Sequence, residues 1–166
     1  VEEVRKLPVK HAILDSELTF FTKEGRDEFL TALAKPEEIK ARGLTPKLMV
    51  FDVLEVDGLN CRPLTYLERK KVLEEIFKKA GKLNHVENVP YLTDHTKHME
   101  AYMRIVSRPR QGEGVILKRI DSPYREGERG TDWIKVKASK TDEAVVVGVT
   151  PGKGARADTF GALVLA

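Results

Sequence analysis

From Gly114 onward the chain reads as strand after strand: Val115–Ile120, Trp133–Val136, Ala144–Val149 and Ala162–Leu165, set apart by turns that contain Gly and Asp. Earlier segments mix the two periodicities. Residues 12–21 read as two short strands, or one bent strand, around Asp15-Ser16-Glu17, and Lys23 to Arg26 as a turn. Phe29, Leu30, Leu33 and Ala34 have helical spacing, and Pro36 breaks that helix and opens a short one at Glu37. Leu48 to Val56 is a strand that ends in Asp57-Gly58, with Asp52 as the one charge between Leu48 and Leu54. Strands with helices outside them and no regular β-α alternation predict an α+β protein, antiparallel sheets flanked by helices.

Thr65-Tyr-Leu-Glu68 is a capping box, so a helix starts there. Leu73, Ile76, Phe77 and Ala80 mark its buried face, Glu74/Lys78 and Glu75/Lys79 pair outside, and Gly81 stops it. A second helix is expected near Asp94, with Met99, Tyr102, Met103 and Val106 as a core stripe.

The chain has 166 residues, 41% hydrophobic and 33% charged, which excludes collagen-like and disordered classes. A single cysteine, Cys61, cannot form an internal disulfide, and no window approaches the roughly 18 apolar residues of a membrane span. The expectation is a soluble, monomeric, cytoplasmic protein, nucleoid-associated in a prokaryote. The opening Val1-Glu2-Glu3 has no signal-peptide pattern, and the apolar run that closes the chain suggests an internal piece of a longer protein. Net charge is only +3. Between Arg104 and Lys140, however, ten Lys/Arg face five Asp/Glu, and this is the place to look for phosphates.

Glu113-Gly114-Val115-Ile116-Leu117-Lys118 puts a carboxylate at the mouth of an apolar strand and an ammonium at its far end. In Trp133-Ile134-Lys135-Val136-Lys137 the period of two sends Lys135 and Lys137 to one face. Paired ammoniums repel unless an anion lies across them, and a phosphate chain suits such point charges. A lone Lys-x-Lys is more often a wet strand face. Glu113 nearby turns the reading toward a divalent metal shared between carboxylate and phosphate. His95 and His98 supply too few zinc ligands, and Cys61 has no evident His partner, so neither is taken as a site.

Taken together, Leu14-Asp15-Ser16-Glu17-Leu18, Val50-Phe51-Asp52-Val53-Leu54, the Glu113–Lys118 segment and the Trp133–Lys137 segment resemble the ordered motifs of the covalent nucleotidyltransferases, most closely ATP-dependent DNA ligases. The stretches from Arg62-Pro63-Leu64 to Arg69 and from Ser122 to Arg129 are similar to bacterial and archaeal members. The resemblance implies that Phe51 stacks on adenine, Glu17 contacts the ribose, Glu113 helps bind Mg²⁺ or Mn²⁺, and Lys135 and Lys137 contact the phosphates of ATP as catalytic groups. Within the basic segment, Lys118, Arg125 and Arg129 are read as contacts to nucleic acid, nicked duplex DNA in this family. The implied activity is nick sealing through a lysyl-AMP and an adenylated 5′-phosphate.

Two departures stand out. Ser16 occupies a position that is usually Gly, tolerable where the backbone does not need positive φ. No Lys is followed by x-Asp-Gly, the motif of the nucleophile, so this chain is not expected to adenylate itself. Residues 1–140 are expected to be a nucleotidyltransferase domain without its first part. Residues 141–166, with Ala144–Val149 and Phe160–Leu165, resemble the start of an OB-fold β-barrel too short to close. An RNA ligase or capping guanylyltransferase carries the same motifs, and a non-catalytic nucleic-acid-binding module is the reading from another class.

Overall fold

A computed structural model describes residues 2–25, 27–28, 35–107, 114–128, 130–138 and 143–166. Its strands and α-helices, in chain order, are β1 (Ala12–Phe21), β2 (Asp27–Glu28), α1 (Pro36–Ala41), β3 (Thr45–Val56), β4 (Leu59–Asn60), α2 (Tyr66–Ala80), β5 (Val86–Asn88), α3 (His98–Val106), β6 (Gly114–Lys118), β7 (Trp133–Lys137), β8 (Val146–Pro151) and β9 (Phe160–Leu165). The expected helix over Phe29–Ala34 lies outside the described residues, as do positions 139–142, on either side of the expected division between residues 140 and 141.

β3 organises the main sheet. It pairs antiparallel with β1 and β4, and β2 extends the sheet beyond β1. Asp57 (φ 48°) and Gly58 (φ 86°) both take positive φ, so the expected turn becomes a tight hairpin into β4. One pairing departs from an all-antiparallel expectation: β5 runs parallel to β3, Leu48 opposite Val86. Ser16 lies within β1, and Asp57 is the only non-glycine with positive φ among the described residues, so the Cβ at position 16 is accommodated.

The β1–β3 register slips twice. Leu14 faces Val53 while Ile13 faces Glu55, and Ser16 faces Val50 while Asp15 faces Asp52, leaving Leu54 and Phe51 as extra residues on β3. Each bulge re-aims the side chains around it. Asp52, Val53 and Leu54 are consequently all buried, although three successive residues of a regular strand would alternate.

α2 closes the core over this strand. Its capping box forms as expected, Thr65 accepting from the Glu68 N–H while the Glu68 carboxylate accepts from the Thr65 N–H. Val50, Val53, Cys61, Leu73 and Val86 make the centre. The buried stripe of α2 starts earlier than the apolar residues suggest: Tyr66, Arg69 and Lys70 are buried with Leu73 and Ile76.

α3 corrects an expectation. Met99 and Met103 are 69% and 54% exposed, and no residue of this helix is fully buried. Tyr102 donates from its hydroxyl to the Lys137 carbonyl at 3.2 Å, which ties one side of the helix to β7, and no described element covers the methionine side.

β6 and β7 form a two-stranded antiparallel ribbon, and β8 and β9 form another. The second exposes Val146, Val149, Phe160, Leu163 and Leu165 and closes no barrel, consistent with an incomplete OB-fold. No helix among the described residues is long and apolar enough to cross a membrane.

Gly114 opens β6 at φ 133°, and a Cβ there would lie 1.9 Å from the Val136 carbonyl oxygen. Gly114→Ala should therefore part the β6–β7 ribbon at its first rung, at a cost of roughly 2 kcal/mol or more. Gly127→Ala, with open space around its Cβ, should cost about 1 kcal/mol. Thermal unfolding of the two variants checks the difference, and equal losses would contradict the packing argument.

Candidate functional site

The β6–β7 register decides which side chains share a face. Gly114 lies opposite Lys137, Ile116 opposite Lys135, and Lys118 opposite Trp133. Opposed residues of an antiparallel pair project to the same side, and alternation puts Trp133, Lys135 and Lys137 together. Lys118 and Trp133 thus end the row along which both exposed lysines are set.

Trp133 brings that row against the main sheet. Its ring meets Phe51 edge to face at 6.2 Å and Tyr124 at 5.6 Å. Phe51 is one of the bulged residues of β3, so the irregular register places its ring at this junction. Glu17 lies exposed on the neighbouring strand, opposite Met49. The structure thereby brings Phe51 together with the strand that bears Lys135 and Lys137.

Lys118, read as a contact to nucleic acid, is instead turned inward. Its side chain is 8% exposed, and Nζ lies 3.4 Å from the Trp133 ring centroid, 4.8 Å from Phe51 and 4.9 Å from Tyr66. Asp52 Oδ2 is 3.9 Å away, near enough to attract and too far for a hydrogen bond. Among the described residues Nζ has no hydrogen-bond partner. Burial pushes this ammonium down to about 8, with Asp52 and Asp15 opposing the shift.

Beneath the rings lies the ion pair that sequence reasoning missed. Arg69 donates from Nε to Asp52 Oδ1 at 2.7 Å and from Nη2 to Oδ2 at 3.1 Å, with both side chains fully buried. Its Nη1 donates to the carbonyls of Leu64 and Ser122. Two signals were available: the lone charge inside an apolar run, and the helical phase that carries the Leu73/Ile76 stripe back through Arg69 and Lys70. Lys70 is also buried, donating to Asn88 Oδ1 and the Val89 carbonyl, and burial lowers its pKa.

The 122–126 loop joins the same cluster. Tyr124 donates from its hydroxyl to Asp15, and burial, reinforced by that bond, pushes the phenol well above its usual range. Its N–H donates to the Arg62 carbonyl at 2.9 Å, and Arg62 Nε pairs with Glu126. Tyr66 is pushed up to about 12, chiefly by burial. Arg125 is exposed and engaged by Asp132 and Glu128. Glu113 and Arg129 lie outside the described residues. No group of three or more His, Cys, Asp or Glu is placed to hold a metal among the described residues.

Known proteins resemble this chain. A family model described as the ATP dependent DNA ligase domain matches residues 1–137. A DNA ligase of Methanocorpusculum labreanum is 37% identical over 118 residues, 70% of this chain and 20% of that protein. The multifunctional non-homologous end joining protein LigD of Mycolicibacterium smegmatis is 32% identical over 155 residues, 93% of this chain and 19% of that protein. Among solved structures, mycobacterial DNA ligase D complexed with ATP and MES matches with a TM-score of 0.57 at 30% identity, covering 93% of this chain and 45% of the other. The chain thus spans about a fifth of these two curated relatives.

Because Lys118 sheds its proton more readily folded than unfolded, the penalty for burying it is full below about pH 8 and is relieved between there and about 10.5. Lys118→Met removes that dependence. Relative to the variant, the wild type should gain roughly 1–3 kcal/mol between pH 7 and pH 10. Denaturant unfolding of both proteins at the two pH values measures the gain, and a difference that does not change with pH would refute the buried-cation assignment.

Proposed function

The chain belongs to the ATP-dependent DNA ligase family, and on that premise we propose that it supplies most of the nucleotide-binding part of an enzyme that seals nicks in duplex DNA. The observation that carries the reading is the single row formed by Trp133, Lys135 and Lys137, with the Phe51 ring at its aromatic end. A purine needs a flat apolar surface, and a triphosphate needs cations a few ångströms further on. The row offers both in that order.

In this proposal Phe51 holds the adenine by stacking, and Glu17, exposed on the adjacent strand, accepts from the ribose hydroxyls. Lys135 and Lys137 neutralise charge that develops on the α-phosphate and on departing pyrophosphate. Glu113, directly before the ribbon, would share Mg²⁺ or Mn²⁺ with phosphate oxygens, which suits an ion that takes one or two protein carboxylates. When bound, the ion would lower repulsion at the phosphorus under attack. Arg125 and Arg129 would meet the DNA backbone. We assign residues 1–140 to the nucleotidyltransferase domain and 141–166 to the beginning of the OB-fold. The separate β8–β9 ribbon, with apolar residues exposed along both strands, supports that division.

Equilibrium titration with ATP tests the reading on binding alone, as suits a chain without a Lys-x-Asp-Gly motif. The wild type should bind ATP in preference to GTP. Phe51→Ala should weaken binding by about 1–3 kcal/mol, the worth of one stacked base. Incubation with ATP and Mg²⁺ should add no AMP to the intact mass. Unchanged affinity in Phe51→Ala would remove the stacking role. A preference for GTP would point to a capping enzyme, and DNA binding with steep salt dependence but no nucleotide uptake to a non-catalytic module.

A further inference from the structure

The Arg69 side chain is fully buried and bonds three separate pieces of the protein with one planar group. Its fork grips both oxygens of Asp52, the residue next to Phe51. Nη1 donates at 2.6 Å to the Leu64 carbonyl, just before the α2 cap, and at 3.2 Å to the Ser122 carbonyl. The guanidinium also lies 5.7 Å from the Tyr66 ring centroid and 5.6 Å from that of Tyr124, and Tyr124 packs on Trp133. The same side chain therefore touches the neighbour of the adenine-side ring and the loop that leads into the lysine-bearing strand.

We propose that Arg69 is a positioning residue for the nucleotide: it sets the spacing between Phe51 on β3 and Lys135 and Lys137 on β7. The inference rests on the nucleotide reading above and deepens it. Other ties cross this junction, Leu67 N–H to the Ile120 carbonyl and Tyr124 N–H to the Arg62 carbonyl among them, and they hold the 120–126 loop near α2. Among the described contacts of Asp52 and Ser122, only the Arg69 side chain joins the two. A lysine in its place keeps the charge but has no planar fork with which to span Asp52, Leu64 and Ser122 at once.

Positioning and plain stability part ways when two ligands are compared. Adenosine needs only Phe51 and Glu17, both on the main sheet, whereas ATP also needs the lysines of β7 at the right separation. Titration of the 166-residue chain should show Arg69→Lys losing about tenfold in ATP affinity while adenosine affinity stays within about twofold. Leu73→Ala, which opens a cavity in the core away from the row, should lower the melting temperature and leave the ratio of the two affinities unchanged. Should Arg69→Lys not fold, the triple variant Asp52→Leu/Arg69→Met/Lys118→Met, compared with Lys118→Met alone, removes the pair without stranding the Lys118 ammonium and should show the same selective loss.

An equal fall in both affinities, or none in either, overturns the proposal. Failure of both Arg69 variants to fold also overturns it, since the residue would then be a determinant of the fold as a whole. A wild type that binds neither ligand overturns the nucleotide reading and this inference with it, whereas a wild type that binds both while Arg69→Lys keeps their ratio locates the failure in Arg69 alone.

Discussion

A carboxylate and a guanidinium, both fully buried, hold this fold at its centre. Asp52 accepts two bonds from Arg69 and a third from the Val53 N–H, and Arg69 satisfies two further carbonyls. Such a pair gains little net stability over apolar residues of the same shape, but loss of one partner strands the other charge at a cost of about 3–5 kcal/mol. The consequence is geometric. With every oxygen of Asp52 committed, β3 has one permissible seat against α2, and the bulge at Phe51 is carried with it. Lys118 then meets a carboxylate already engaged, which leaves its ammonium to three aromatic rings for company.

Much of this could be read from the residues, and the reasons for the rest are physical. Capping chemistry is local, so Thr65 and Glu68 announced the start of α2 and Gly81 its end. Hydrophobic runs located the described strands of the main sheet except the short partners of β1 and β3, where Asp27–Glu28, Leu59–Asn60 and Val86–Asn88 are set by pairing and not by composition. Periodicity failed on α3. A stripe of Met99, Tyr102, Met103 and Val106 records an apolar face but not whether anything covers it. Phe51 was named through the family resemblance, and Lys135 and Lys137 through charge at strand spacing as well, whereas the burial of Lys118 went against the rule that a lysine at a strand end is ordinarily wet. The Asp52–Arg69 contact joins residues 17 apart and depends on a bulge, a feature that no local pattern encodes.

The same geometry separates the jobs of Arg69, Lys70, Lys118, Lys135 and Lys137. Arg69 and Lys70 serve the core, each with its donors spent on protein acceptors. Lys118 is buried among rings. Lys135 and Lys137 are left exposed on the ribbon, where a ligand's charge can reach them. All five carry one positive charge, and helix phase and place along the ribbon sort them into different roles.

The β6–β7 ribbon turns this sorting into an all-or-nothing matter. Because opposed residues share a side, a slip of one residue in β7 would carry Trp133, Lys135 and Lys137 to the opposite face together and present Ile134 and Val136 in their place. No half-slipped arrangement keeps the aromatic end and loses only the cations. Gly114 stands at the first rung, where the Val136 carbonyl leaves no room for a side chain. The strand that carries ring and lysines is therefore packed, at that rung, against a position that accepts only a hydrogen atom.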